Sequence, residues 1–338
     1  MQATLNIEET GSATKMKAIT QDRYGRADVL ALREIERPHI ADDEVLVRVR
    51  AAGVDRGVWH LTTGMPYLMR FVGFGLTRPK MATPGMDLAG VVEAVGANVS
   101  RFTPGDEVFG IGKGAFAEYA VAKEAKLAPK PDNLSFEEAA VVAISGVTAL
   151  QALRDVASVE PGQKVLIIGA SGGVGSYAVQ IARVLGAEVT GVCSTSKIGL
   201  VKSLGADHVI DYTNERITDS GESYDVILDI GGNRKLGELR LALKPKGTLV
   251  IVGGEEGGKF FGGVDRQLRA MLLSIFVGQK LTSFISAESQ KDMLELKDMI
   301  EAGKIRPIIG RRYTLSQAPD ALRDIEEGRA RGKSVIAI

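Results

Sequence analysis

Lys164-Val165-Leu166-Ile167-Ile168-Gly169-Ala170-Ser171-Gly172-Gly173-Val174-Gly175 is the stretch on which the fold turns. A short apolar run ends on clustered glycines, and residues 174–185 then take a helical period. A strand passing through such a turn into a helix opens a βαβ unit that cradles a dinucleotide. One glycine permits the tight turn, another lets backbone approach the pyrophosphate, and the last lets the helix pack closely on the strand. The helix N-terminus offers N–H groups and partial positive charge to the phosphates. Gly169, Ser171, Gly172, Gly173 and Val174 are therefore candidate cofactor contacts. Taken alone the loop is equally a plain glycine turn, so its surroundings decide.

Outward from the loop, β-branched runs and helical patterns alternate. The spacing predicts further strands over 188–193, 208–210, 224–229, 248–252 and 281–285. Helices are expected over 174–185, 197–204, 234–243 and 267–277, with a turn at Pro245-Lys246-Gly247. Six strands in two halves make a doubly wound parallel α/β sheet of the Rossmann kind. The N-terminal part differs. Residues 45–49 alternate with period two, 88–95 and 107–109 add short strands, and no long helical pattern separates them. That predicts a mainly antiparallel β domain. A helix over 318–327 and a strand over 335–338 end the chain. The expected division is a disordered tail over 1–16, a catalytic domain from 17–140 and 288–338, and a nucleotide-binding domain over 141–287.

The chain has 338 residues, 45% hydrophobic and 25% charged, with Lys+Arg and Asp+Glu both at 42. A neutral balance gives no footprint for nucleic acid and no basic face for a membrane surface. Cys193 is the single cysteine, so internal disulfides and multi-thiolate zinc sites are out of reach. No apolar run reaches the roughly 18 residues of a spanning helix. The first 15 residues are polar and lack the pattern of a signal or transit peptide, so a cytoplasmic location is expected.

The end of the second strand selects the cofactor. An NAD site usually places Asp or Glu there, about 20 residues beyond the glycines, to bind the ribose 2′-hydroxyl. Here the run is Cys193-Ser194-Thr195-Ser196-Lys197. No carboxylate repels a 2′-phosphate, while Ser194 and Lys197 offer donors that suit one. NADPH is preferred, against the plainer alternative that Lys197 is a solvated lysine at a helix start.

Several ordered motifs now match one family. The glycine loop, Leu204-Gly205-Ala206-Asp207-His208-Val209-Ile210-Asp211-Tyr212, Pro84-Gly85-Met86-Asp87-Leu88-Ala89-Gly90-Val91-Val92, Pro104-Gly105-Asp106-Glu107-Val108 and Gly328-Arg329-Ala330-Arg331-Gly332-Lys333-Ser334-Val335 resemble the medium-chain dehydrogenase/reductase superfamily. The resemblance covers residues 17–338 and implies a GroES-like catalytic domain. Within it the chain is similar to the zinc-independent quinone oxidoreductase branch. Met86 and Asp87 stand where zinc-dependent members carry His and Glu, and Val54 or Asp55 stands at their cysteine. Forcing His60, Asp55 and Asp87 into a zinc site is the weaker alternative. The resemblance also implies that Lys197, Tyr212 and a C-terminal arginine hold the 2′-phosphate. Arg329 is the expected arginine, with Arg331 and Lys333 as neighbouring alternatives.

The chemistry implied is hydride transfer from NADPH to a quinone or α,β-unsaturated carbonyl acceptor, with a donor stabilising the acceptor oxygen. A zinc-free alcohol dehydrogenase or carbonyl reductase, and an NADPH-binding protein without turnover, are the competing readings. Asp55, where the family often has Asn, and Tyr67 are the catalytic candidates; Trp59 and His60 lie in the same wall. Thr148 and Gly253-Gly254 are candidate contacts to the nicotinamide. The apolar insertion over 65–81, with Phe260-Phe261 and 271–277, suggests a hydrophobic substrate, although a buried helix fits the insertion as well. Pairing of the sixth strand across a two-fold axis would give a homodimer.

Overall fold

The computed structural model describes residues 15–254, 258–329 and 332–338, with Val72 as backbone alone. The loop-bearing strand Lys164–Ile168 is central in a six-stranded sheet. Across the sheet the order is His208–Asp211, Glu188–Cys193, Lys164–Ile168, Tyr224–Asp229, Leu243–Ile251 and Lys280–Ser283. Every pairing is parallel. Parallel strands are covered on both faces, which is why Val165, Leu166, Ile167 and Ile168 are all apolar and all buried. The strand order reverses between Lys164–Ile168 and Tyr224–Asp229, so a crevice opens beyond their carboxyl ends.

One local expectation fails in this sheet. Pro245-Lys246-Gly247 is not a turn between elements but lies inside the strand Leu243–Ile251. The register with the neighbouring strand shifts between Tyr224 and Val226, so proline sits where the ladder is already interrupted.

The second sheet is seven-stranded and mainly antiparallel. Its path runs Ile309–Thr314, Lys333–Ala337, Glu44–Val54, Asp87–Val95, Glu107–Ile111 and Leu127–Pro129, with Tyr119–Lys123 pairing Glu44–Val54 beside it. The last strand lies antiparallel on Glu44–Val54, which returns the C-terminal segment to the first domain. Lys15–Thr20 and Ala31–Glu36 form a separate antiparallel pair. Met16 is buried there, so Lys15 and Met16 begin a strand rather than end a tail. The rest of the expected tail, residues 1–14, lies outside the described residues.

The helix Ala143–Gln151 joins the two domains. It is buried along nearly its whole length and packs on Gly173–Val184 and Gln290–Glu301. One core cluster accordingly carries Ala89 and Phe109 of one sheet together with Leu150, Leu153, Ile167 and Tyr177. A helix buried all round shows little amphipathic period, and the sequence pattern does not reveal it. Among the described residues no helix is long and apolar enough to cross a membrane.

The insertion over 65–81 is a surface cover, not a buried helix. Its one helical turn is Arg70–Phe74, and Phe71 and Leu76 are exposed. Arg70 fastens it down. The guanidinium lies 4.2 Å from the Tyr24 ring centroid and 4.6 Å from that of Tyr67. Arg70 also donates to the Gly64 carbonyl at 2.9 Å and the Thr63 carbonyl at 3.1 Å, at the end of the helix Arg56–Thr63.

Candidate functional site

The glycine loop is built by close approach. Gly169 has φ +86°, a conformation glycine adopts without penalty. A Cβ on Gly175 would stand 2.1 Å from the Gly169 carbonyl oxygen, so the helix Gly173–Val184 reaches the strand only because none is there. The Gly172 N–H donates to Gly169 at 3.0 Å and closes the turn. From the other domain, the Gly332 N–H donates to the Ser171 carbonyl at 3.0 Å. The C-terminal segment thus crosses the loop itself.

A cavity of about 970 Å³ fills the switch-point crevice, lined by Gly169, Ser171, Gly172, Ser194, Lys197 and Tyr212, with Asn233, Arg234 and Lys235 opposite. A second cavity of about 560 Å³ shares Ser194, Lys197 and Tyr212 and adds Ser196, Arg311, Arg329 and Ser334. Four expected contacts, Ser194, Lys197, Tyr212 and Arg329, therefore meet around one space. Arg311 joins them without having been anticipated. Arg331, one alternative to Arg329, lies outside the described residues.

A carboxylate does stand near the second strand's end, on its neighbour. Asp211 accepts from the hydroxyls of Thr195 at 2.5 Å and Thr213 at 2.7 Å, and from the Asn214 amide at 2.8 Å. These bonds, the Thr195 hydroxyl first, hold its acid below the ordinary range. Its lone pairs are committed to the local turn rather than to a ribose.

Gly173 and Val174 also carry packing around the loop. Val174 packs against the core, and Gly173 makes room for the Lys333 stem, since a Cβ there would meet Lys333 Cδ at 3.1 Å and Ser145 Oγ at 3.3 Å. Lys333 is thus not available to a 2′-phosphate. Its ammonium is buried between two carboxylates, 2.7 Å from Asp87 Oδ2 and 3.3 Å from Asp55 Oδ2. Asp87 also accepts from the Ile144 N–H at 2.9 Å, and Asp55 caps the helix Arg56–Thr63 by accepting from Val58 N–H at 3.0 Å. Burial pushes the Asp87 acid up to about 6 despite Lys333. Burial opposes charge on Lys333 too, but Asp87 and Asp55 outweigh it and hold the ammonium above its ordinary value. Two acids share one cation, and burial weighs on the fully buried Asp87.

The remaining candidates line neither of these cavities. Thr148, one turn beyond Ile144, donates to the Ile144 carbonyl at 2.7 Å and bonds Ser286 Oγ at 3.0 Å. Gly253-Gly254 follow the fifth strand and sit against bare backbone: a Cβ on Gly254 would meet the Gly262 carbonyl at 2.4 Å. Gly262 in turn abuts Pro66, and the Tyr67 N–H donates to Lys259 at 2.9 Å. Tyr67 therefore stands on the rim shared with Gly253-Gly254. Its hydroxyl takes no hydrogen bond among the described residues, whereas Asp55 is engaged as an acceptor. Nothing in the sequence around Lys333 or Arg311 marks the pairings they make; both arise from the return of the chain's end to the first sheet.

The side chains nearest the expected zinc position are already engaged with one another. The two carboxylates nearest the expected zinc position already enclose an ammonium, and the His60 Nδ1–H donates to Met65 at 2.7 Å. Burial lowers the His60 pKa and keeps the ring neutral. Among the described residues no three His, Cys, Asp or Glu side chains gather to hold an ion.

Comparison with known proteins identifies the family. Residues 41–132 match the alcohol dehydrogenase GroES-like domain, and residues 204–336 match the zinc-binding dehydrogenase family. Human quinone oxidoreductase is 33% identical over 334 residues, spanning 96% of this chain and 98% of that protein. The 2-methylene-furan-3-one reductase of Solanum lycopersicum is 33% identical over 339 residues, spanning 96% of this chain and 79% of its own. The solved structure of the quinone oxidoreductase from Coxiella burnetii superposes with TM-score 0.85 at 27% identity, covering 96% of this chain and all of the other.

Proposed function

Because the chain belongs to the medium-chain dehydrogenase/reductase superfamily, among its quinone oxidoreductase-like NAD(P)H oxidoreductases, we propose that it is an NADPH-dependent, zinc-independent reductase of quinones or α,β-unsaturated carbonyl compounds. The observation that carries the choice of NADPH is the second cavity. It is lined by Lys197, Arg311 and Arg329 beside Ser194 and Tyr212, at the end of a strand where an NAD site would carry an acid.

When bound, NADPH supplies the hydride. The chain's own groups bind, orient and protect. The glycine loop and the N-terminus of Gly173–Val184 take the pyrophosphate. Ser194, Lys197, Tyr212 and Arg329 hold the 2′-phosphate through charge-assisted bonds. Thr148 and the bare backbone of Gly253-Gly254 border the nicotinamide. The ion cluster of Asp55, Lys333 and Asp87 fixes the start of Arg56–Thr63. Asp55 is engaged there by Lys333 and the Val58 N–H, so the donor role is assigned to Tyr67, whose O–H stabilises the acceptor oxygen as charge develops on it. With an ammonium already between the two acids, polarisation of the acceptor falls to such donors rather than to a metal.

The rim suits a hydrophobic acceptor, since Tyr67, Phe260 and Phe261 are all partly exposed beside it. The other apolar stretch has a different use. Leu272, Ile275 and Phe276 are exposed on and just beyond the helix Val264–Ser274, which packs beside the edge strand Lys280–Ser283. An apolar face next to an unpaired strand edge supports a homodimer joined along that edge.

NADPH oxidation over a panel of quinones, enones and simple ketones, with metal content measured on the same enzyme, tests the proposal. Turnover on conjugated acceptors by metal-free protein is expected. Turnover confined to alcohols and unconjugated ketones, or stoichiometric zinc required for activity, overturns it.

A further inference from the structure

Arg311 lies on the strand Ile309–Thr314 and enters the second cavity beside Ser334, its register partner on the last strand. Arg329 enters from just beyond the helix Ala318–Glu326. Both guanidiniums are held from behind by one carboxylate. Asp324, on that helix, is buried, with its side chain only 6% exposed. It accepts from Arg329 Nε at 2.9 Å and Nη2 at 2.6 Å, from the Tyr313 hydroxyl at 2.5 Å, and from Arg311 Nη1. The Arg329 backbone N–H also donates to the Asp324 carbonyl at 3.0 Å. Burial works against charge on Asp324, but Tyr313, Arg329 and Arg311 together keep its acid below the ordinary range.

Each guanidinium carries five N–H donors in a rigid fork, and bonding one edge to a carboxylate leaves others for a second anion. Arg329 Nη1 also pairs with Glu327, so two acids balance the two arginines, and Lys197 across the same cavity supplies the excess positive charge. The arginine stems are long and would otherwise lose rotamer freedom on binding. Fixing them beforehand removes that cost from the binding step.

On the reading above that the cofactor is NADPH, we propose that Arg311 is a second arginine of the 2′-phosphate site, and that Asp324 is a positioning residue that holds Arg311 and Arg329 toward it. The specificity element is thus a clamp built on the C-terminal segment of the first domain, closing on Lys197 and Tyr212 of the second. Coulomb attraction and positioning predict opposite signs for one substitution. Asp324→Asn adds a net positive charge behind the cavity, which by field alone tightens phosphate binding. Loss of the anchor loosens it.

The test is calorimetric titration of the whole protein with 2′,5′-ADP and with 5′-AMP, alongside KM for NADPH and NADH. For Arg311→Ala the 2′,5′-ADP affinity is expected to fall roughly tenfold or more, the scale of one bond to a charged group, with 5′-AMP unchanged within about twofold. Arg311→Lys restores part of the loss. Asp324→Asn is expected to weaken 2′,5′-ADP about fivefold while sparing 5′-AMP. Should that variant not fold, Asp324→Glu, which keeps the charge and displaces it, is expected to lose 2′,5′-ADP affinity alone. Arg311→Ala with unaltered 2′,5′-ADP affinity overturns the role of Arg311, and equal or tighter binding by the Asp324 variant overturns positioning. Wild-type protein that binds the two nucleotides equally removes the NADPH reading, and this inference with it.

Discussion

Replacing Lys333 with Met removes the ammonium from between Asp55 and Asp87 while keeping most of the side-chain length. The lysine side chain is 3% exposed and that of Asp87 is fully buried, so water cannot substitute for the lost partner. Breaking a buried ion pair from one side costs about 3–5 kcal/mol, because the other charge stays behind unpaired. The acid limits that loss by taking up a proton. Asp87 already titrates near 6 in the folded chain, above the 3.8 of a free Asp, because burial outweighs Lys333. Its ionisation therefore opposes folding. The stability linked to its proton is fully present below 3.8 and lost as pH rises through about 6. Without Lys333 the folded value rises further, so the Lys333→Met deficit is largest in alkaline solution and shrinks as pH falls. Urea unfolding at about pH 8 and about pH 5.5 measures this for wild type, Lys333→Met, Asp87→Asn and the double variant. The double variant should recover part of the loss of Lys333→Met, as coupled neighbours do. A Lys333→Met deficit below about 1 kcal/mol at both pH values, or strictly additive losses, would refute the coupling.

Gly175→Ala places a methyl 2.1 Å from the Gly169 carbonyl, so cofactor affinity should fall by about two orders of magnitude or the loop should unfold; nucleotide titration with a circular dichroism check decides. Lys197→Ala should raise KM for NADPH about tenfold or more and leave KM for NADH unchanged, and equal effects on both would remove its phosphate role. Tyr67→Phe should lower kcat by about 10²-fold with KM for NADPH unaltered if its hydroxyl supplies the proton, and a wild-type kcat would move that role elsewhere. Phe276→Glu puts a charge on the exposed apolar face, and sedimentation should find monomers where the wild type forms dimers; an unchanged mass excludes that face.

The parallel sheet is readable in the sequence because its strands are short, β-branched and separated by glycine turns. The spans over 164–168, 188–193 and 224–229 coincide with the structure. Pro245 misled because a proline inside a strand looks like a boundary unless the neighbour's register shift is known. The spine helix Ala143–Gln151 is hidden for the opposite reason: it is buried on nearly every side and gives little amphipathic period to detect. Ser194 and Lys197 are marked in the sequence by the end of the second strand, whereas Tyr212 enters only through the family resemblance; the structure brings the three around one cavity. The pairings of Lys333, Asp324 and Arg311 are not marked there, since these residues reach the site only when the C-terminal strand pairs with Glu44–Val54. Lys333 stood in the sequence as an alternative to Arg329 for the 2′-phosphate, and instead its ammonium lies between Asp55 and Asp87.

The most direct test of the central claim is the ratio of kcat/KM for NADPH to that for NADH with one quinone or enone acceptor. Phosphate contacts from Lys197, Tyr212 and Arg329 predict a preference for NADPH of roughly 10²-fold or more, about two charge-assisted bonds' worth of transition-state stabilisation. Comparable efficiency with the two cofactors, or a preference for NADH, would contradict it.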